Sequence, residues 1–163
     1  MALIDPILEE LTREAETTRR VLTRLPADKL AFKPHVKSKS LGDLAWHLAT
    51  IPARIAAMAQ VDDADALAFK APPKPETPQA IVDGFDAGVR EAQEQLAKLS
   101  DEQLGRKIRF RAGERTLALL PRLAFLRSVM LNHGYHHRGQ LSVYLRLLDV
   151  PVPAIYGPTA DEA

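Results

Sequence analysis

The chain has 163 residues, 46% apolar and 26% charged, close to the average of soluble globular domains and long enough to bury a core without staples. Its 22 Lys and Arg against 21 Asp and Glu leave a formal charge of +1, which gives no broad attraction to nucleic acid or anionic lipid. With no cysteine there are no disulfides, iron–sulfur clusters, thiolate zinc sites or cysteine nucleophile, so any metal must be held by nitrogen and oxygen.

The N-terminal residues mix acids with aliphatics, without a basic stretch leading into an apolar one, and no apolar run reaches the ~18 residues that span a bilayer. A cytoplasmic protein with no membrane partner is expected. Asp5 and Pro6 read as an N-cap and first helical residue, and Ile7, Leu8, Leu11, Ala15, Thr18, Val21, Leu22 and Leu25 continue a helical stripe that ends near Pro26. The segment 33–39 is a polar, proline-containing loop. Ser40 and Asp43 then form a capping-box-like start to a second helix, carrying Leu44, Leu48, Ile51, Ile55 and Met58 to about Gln60, with Pro52 as an expected kink.

Four prolines between Pro72 and Pro78 make an extended connector. Thr77 caps a third amphipathic segment through Ile81, Phe85, Val89, Ala92, Leu96 and Leu99. The pattern weakens from Ser100 to Leu120, where residues 107–117 read as a short hairpin or a structured loop. A last helix runs from near Pro121 to Leu148, before Pro151 and Pro153. The expected fold is one all-α domain over 1–163, a four-helix bundle with that small hairpin or structured loop between helices three and four.

Three of the five histidines, His133, His136 and His137, fall close together on the last helix. At ~100° per residue, Leu126, Met130, His133, His137, Leu141, Tyr144 and Leu148 share one seam, whereas His136 stands ~100° away and is a poorer ligand. An i,i+4 pair of imidazoles can close on one ion. His47 lies beside the apolar face of helix two and supplies a third ring. Three neutral histidines leave a coordination position for water or substrate, the arrangement of a catalytic centre. The plainer alternative is three hydrogen-bonded core histidines.

The run His-His-Arg-Gly-Gln at 136–140, followed by Leu-Ser-Val-Tyr-Leu-Arg at 141–146 and Val-Pro-Ala-Ile-Tyr-Gly-Pro at 152–158, resembles the DinB family. Upstream, Lys33-Pro34-His35 and Ser40-Leu41-Gly42-Asp43-Leu44 leading into Trp46-His47-Leu48 are similar to the family's second-helix entry. The family is distinct from the translesion polymerase that shares its name. The resemblance implies a four-helix bundle, often a homodimer, with a divalent metal on one histidine of the second helix and two of the last, here His47, His133 and His137. Members and relatives of that family include thiol-dependent transferases, a thiol-dependent isomerase and proposed metal-dependent hydrolases, so the resemblance does not fix the reaction.

The expected chemistry is therefore transfer of an external low-molecular-weight thiol to a small electrophilic substrate, with metal-activated hydrolysis and a non-catalytic, metal-binding stress-response module as alternatives. An all-imidazole site suits zinc, nickel, iron or copper, with zinc or nickel foremost. Asp43, Arg138 and Tyr144 are weak catalytic candidates; their structural readings are a helix cap, a solvated arginine and a core tyrosine. Gln140 is a candidate substrate or interface contact. Gly134 and Gly139 read as close-packing positions, and Asp161 or Glu162 in the tail as a candidate fourth ligand.

Overall fold

The computed structural model describes residues 2–162. Helix α1 spans Asp5–Leu22 and α2 spans Leu41–Met58; α3 covers Pro78–Leu96 and a short α4 covers Asp101–Gly105. The last helical run has three parts: α5 at Arg122–Phe125, a π-helical segment at Leu126–Asn132, and α6 at His133–Leu147. Strands β1 (Asp63–Asp65), β2 (Lys107–Ala112) and β3 (Arg115–Pro121) complete the element order.

Helix starts follow local chemistry. Ser40 and Thr77 accept from the N–H groups of Asp43 and Ala80, and Ser100 with Gln103 forms a full capping box on α4. At α1 the expectation shifts by one residue. Ile4 is the N-cap and Asp5 the first helical residue, its carboxylate accepting from the N–H of Ala2 at 2.7 Å. Pro52 lies inside α2, which continues as one helix from Leu41 to Met58.

The fold is mostly helical but not all-α. The weak stretch after α3 forms the hairpin β2–β3, and β1 joins it in parallel in the order β1-β2-β3. β1 falls between the expected end of helix two and the proline-rich connector, where the sequence suggested no element. Its sequence, Asp-Ala-Asp, has no apolar alternation, and its pairing comes from elsewhere: Arg109 N–H donates to Asp62 C=O, and Arg111 bonds both Asp63 and Asp65. Ala64 and Ile108 are fully buried, so the sheet presents its inner face to the helices. Gly113, at φ +57°, takes the left-handed position that turns the hairpin.

The main core lies between α1, α2, α3 and the last helical run, where Leu22, Leu41, Ile81, Leu96, Leu126 and Leu141 are fully enclosed. Close packing uses different glycines from those expected. A Cβ on Gly84 would lie 2.6 Å from the Trp46 ring, whereas one on Gly134 or Gly139 would meet nothing within 4 Å. Gly84 thus seats Trp46 against α3, and the indole N–H donates to Pro72 C=O at 2.8 Å, tying the proline-rich connector to α2.

Candidate metal centre

Helix α2 carries His47, and α6 carries His133 and His137 one turn apart. Their Nε2 atoms converge: His133 stands 3.3 Å from His47 and 2.7 Å from His137. The ring centroids are 4.5–5.1 Å apart, and one ligand nitrogen from each ring lies within 4.8 Å of both others. Nitrogens bound tetrahedrally at about 2.0–2.1 Å from zinc stand about 3.3 Å apart, so a small opening of the His133–His137 pair gives a ligand set. The three histidines are placed closely enough to hold one metal ion.

All three rings are half-buried. Burial, with the neighbouring rings, pushes His47 down to about 4; burial also lowers His133 and His137. Neutral imidazole is the form that binds metal, so the apolar surroundings keep the nitrogens available at pH 7. His137 Nδ1 lies 2.7 Å from Gln140 Oε1, which favours the tautomer whose Nε2 lone pair faces the cluster. The Val129 carbonyl, in the turn before, faces His133 and raises its pKa against the larger effect of burial. Val129 belongs to the π-helical segment, whose wider turn immediately precedes the ligand pair.

The other candidates stand elsewhere. Asp43 is exposed; its oxygens accept from Lys74 Nζ at 2.6 Å and Ser40 Oγ at 2.6 Å, and Lys74, ahead of Ser40, holds its pKa low. Tyr144 donates to the Lys39 C=O at 3.2 Å and meets Phe32 edge-on. His136 is exposed beside His137, with ring centroids 5.0 Å apart, and His35 is exposed in the loop before α2. The tail carboxylates are engaged as well: Asp161 pairs with Arg146, and Glu162 with Arg20 and the Ala154 N–H.

Arg138 is only 1% exposed, against the expectation of a solvated residue. It reaches α1, where Glu14 Oε2 accepts from Nη2 at 2.7 Å and the Glu14 carbonyl and Thr18 Oγ1 accept from Nη1, each at 3.2 Å. Tyr135 and Tyr156 flank the guanidinium at 5.2 and 5.0 Å, and the Tyr156 hydroxyl donates to Glu14 at 2.8 Å. The arginine thus fastens α6 to α1 and the tail.

The DinB family model matches residues 3–163, nearly the whole chain. The chain belongs to the DinB family. Uncharacterized protein YrdA of Bacillus subtilis is 30% identical over 164 residues, covering 98% of this chain and 91% of that protein. A DinB-like protein from Bacillus cereus has a crystal structure with a TM-score of 0.77 at 27% identity, covering 94% of this chain and 97% of its own. The DinB-like protein YjoA of Bacillus subtilis shares the fold, with a TM-score of 0.72 at 21% identity over 98% and 100% of the two chains. In this DinB member the histidine cluster joins the second helix to the last, and among the described residues no helix is long and apolar enough to cross a membrane.

Proposed function

We propose that this DinB protein is a metal-dependent transferase that joins a low-molecular-weight thiol to a small electrophile at His47, His133 and His137. The convergence of three neutral Nε2 atoms without a carboxylate in the cluster, among the described residues, carries this reading. A divalent ion bound there, with zinc or nickel preferred, supplies Lewis acidity that keeps an external thiol ionised near neutral pH. In the overall reaction a sulfur–carbon bond forms, the thiol proton passes to solvent, and the leaving group departs with its bonding pair.

The chain's part is to hold and orient. Apolar burial keeps the imidazoles unprotonated, and Gln140 fixes the His137 ring. Hydrolysis by an activated water calls for a general base within hydrogen-bond reach. Asp43, the nearest acid in sequence to His47, is instead committed to Lys74 and Ser40, which favours thiol transfer.

The test is metal content of the untagged protein as purified, beside folded His133→Ala and His137→Ala variants, followed by thiol consumption with 1-chloro-2,4-dinitrobenzene across a panel of small thiols. Near one equivalent of metal in the wild type, little in the variants, and metal-dependent turnover support the reading. Metal bound without turnover of any thiol favours a non-catalytic metal-binding module. Folded, metal-free protein after reconstitution with zinc or nickel makes the three rings core residues.

A further inference from the structure

Arg54 follows His47 by seven residues on α2, so at ~100° per residue the two lie within about 20° of one face. Long helical side chains lean toward the N-terminus, which carries the guanidinium back toward the histidines. Its charge contributes to the lowered pKa of both His47 and His133. Arg54 Nε donates to the Phe69 C=O at 2.8 Å, which anchors the guanidinium to the segment just before the proline-rich connector. Among the described residues Arg54 enters no ion pair, unlike Arg111, Arg122, Arg127 and Arg138, each of which meets a carboxylate. Burial lowers its pKa, as for a cation that has lost water without gaining an anion.

Arg54 borders a cavity of about 350 Å³ between α2, α3 and the connector. That volume lies in the range of small-molecule sites. Trp46 and Thr50, on either side of His47 in sequence, also line it, so the cavity adjoins the histidine-bearing turn of α2. Small residues of α2 and α3, among them Ala49, Ala53 and Ala87, line it together with two aromatic residues, Trp46 and Phe69, an apolar lining that suits a ring. Lys70 is a second cation and Glu91 an acid on the α3 side, leaving one net positive charge that suits a monoanion.

We propose that this cavity binds a small aromatic monocarboxylate, with the Arg54 Nη1 and Nη2 groups as paired donors to its carboxylate. A guanidinium fork matches the two carboxylate oxygens, and its charge-assisted hydrogen bonds discriminate strongly against a neutral isostere. Trp46 and Phe69 are the aromatic partners for its ring. Taken as the acid-bearing electrophile, this ligand names a substrate class for the transferase; that step rests on the proposed function, whereas carboxylate binding does not.

Trp46 is the only tryptophan and lines the cavity, so its fluorescence reports binding directly. Metal-free wild type, Arg54→Gln, Arg54→Lys and His133→Ala are titrated with sodium benzoate and with benzamide, each variant first checked for its helical circular dichroism. The expected result is saturable benzoate binding in the millimolar range, weakened at least about tenfold in Arg54→Gln and for benzamide, and unchanged in His133→Ala. Arg54→Lys, which keeps the charge and loses the fork, falls between. Equal affinity in Arg54→Gln, equal response to benzamide, no saturable change up to tens of millimolar, or loss confined to His133→Ala would each overturn the assignment. A wild type that binds benzoate but no metal leaves the cavity standing and removes the metal reading alone.

Discussion

Gln140 Oε1, one helical turn along α6, accepts from the His137 ring at Nδ1, 2.7 Å away, and so leaves the ring's Nε2 lone pair for the cluster. Partners of this kind are worth roughly 10- to 100-fold in metal affinity. Gln140→Leu should therefore weaken zinc binding about tenfold or more, whereas Gln140→Glu, which keeps an acceptor, should retain or strengthen it. Competition against a chromogenic chelator reads both constants. Equal affinity in wild type and Gln140→Leu would leave the glutamine without an orienting role.

Two glycines should respond oppositely to alanine. At Gly84 the new methyl would stand 2.6 Å from the Trp46 ring, and relieving that overlap must move the indole or part α2 from α3. Overpacking of this size costs about 1–3 kcal/mol. At Gly134 the methyl meets nothing within 4 Å, so Gly134→Ala should gain about 0.5–1 kcal/mol through helix propensity. Urea unfolding followed by circular dichroism measures both, and Trp46 emission should shift only in Gly84→Ala.

The helices and the three clustered rings were readable because both rest on helical periodicity. His133 and His137 share a face at i,i+4, and His47 interrupts the apolar side of α2, where Leu44, Leu48 and Ile51 are all buried. Strand β1 was not readable. Its three residues carry no pattern of their own, and they pair because Arg109 and Arg111, more than forty positions later, bring backbone and guanidinium donors to them. The burial of Arg138 was hidden for the same reason: its partners, Glu14 and Thr18, lie on α1. For the glycines, sequence shows a missing side chain but not the neighbour it makes room for. Arg54 carried a signal that could have been used, its seven-residue spacing from His47.

Removing Arg138 should be far more damaging than removing an ordinary helix-surface arginine. Glu14 is 9% exposed and takes its main charged hydrogen bond from Arg138 at 2.7 Å. Breaking such a pair from one side costs about 3–5 kcal/mol, because the remaining charge stays buried without its partner. Arg138→Met should show that loss in chemical denaturation, and pairing it with Glu14→Gln should recover a substantial part by neutralising the orphaned acid. A full loss in the double variant would assign the effect to packing between Tyr135 and Tyr156 instead.

The metal-free protein should lose stability as pH falls from 7.5 to 5, in a window that belongs to the histidines. Folding lowers the His47 pKa from 6.5 to about 4 and moves His133 and His137 in the same direction, so below pH 6.5 the unfolded chain binds protons that the folded chain refuses. That contribution is complete above the unfolded pKa and disappears as pH falls toward the folded one. His47 should account for about 1 kcal/mol of loss between pH 7 and 5, after allowing for solvent screening of a half-exposed ring. The lowered carboxylates Glu10 and Asp43 lose their contributions only at lower pH, below their ordinary values of 4.5 and 3.8. Urea midpoints measured in chelator across this range should therefore slope downward toward acid in wild type and flatten in His47→Gln. An unchanged slope in that variant would mean that His47 is not held neutral by its surroundings, and with it would go the argument that the cluster is ready for metal at pH 7.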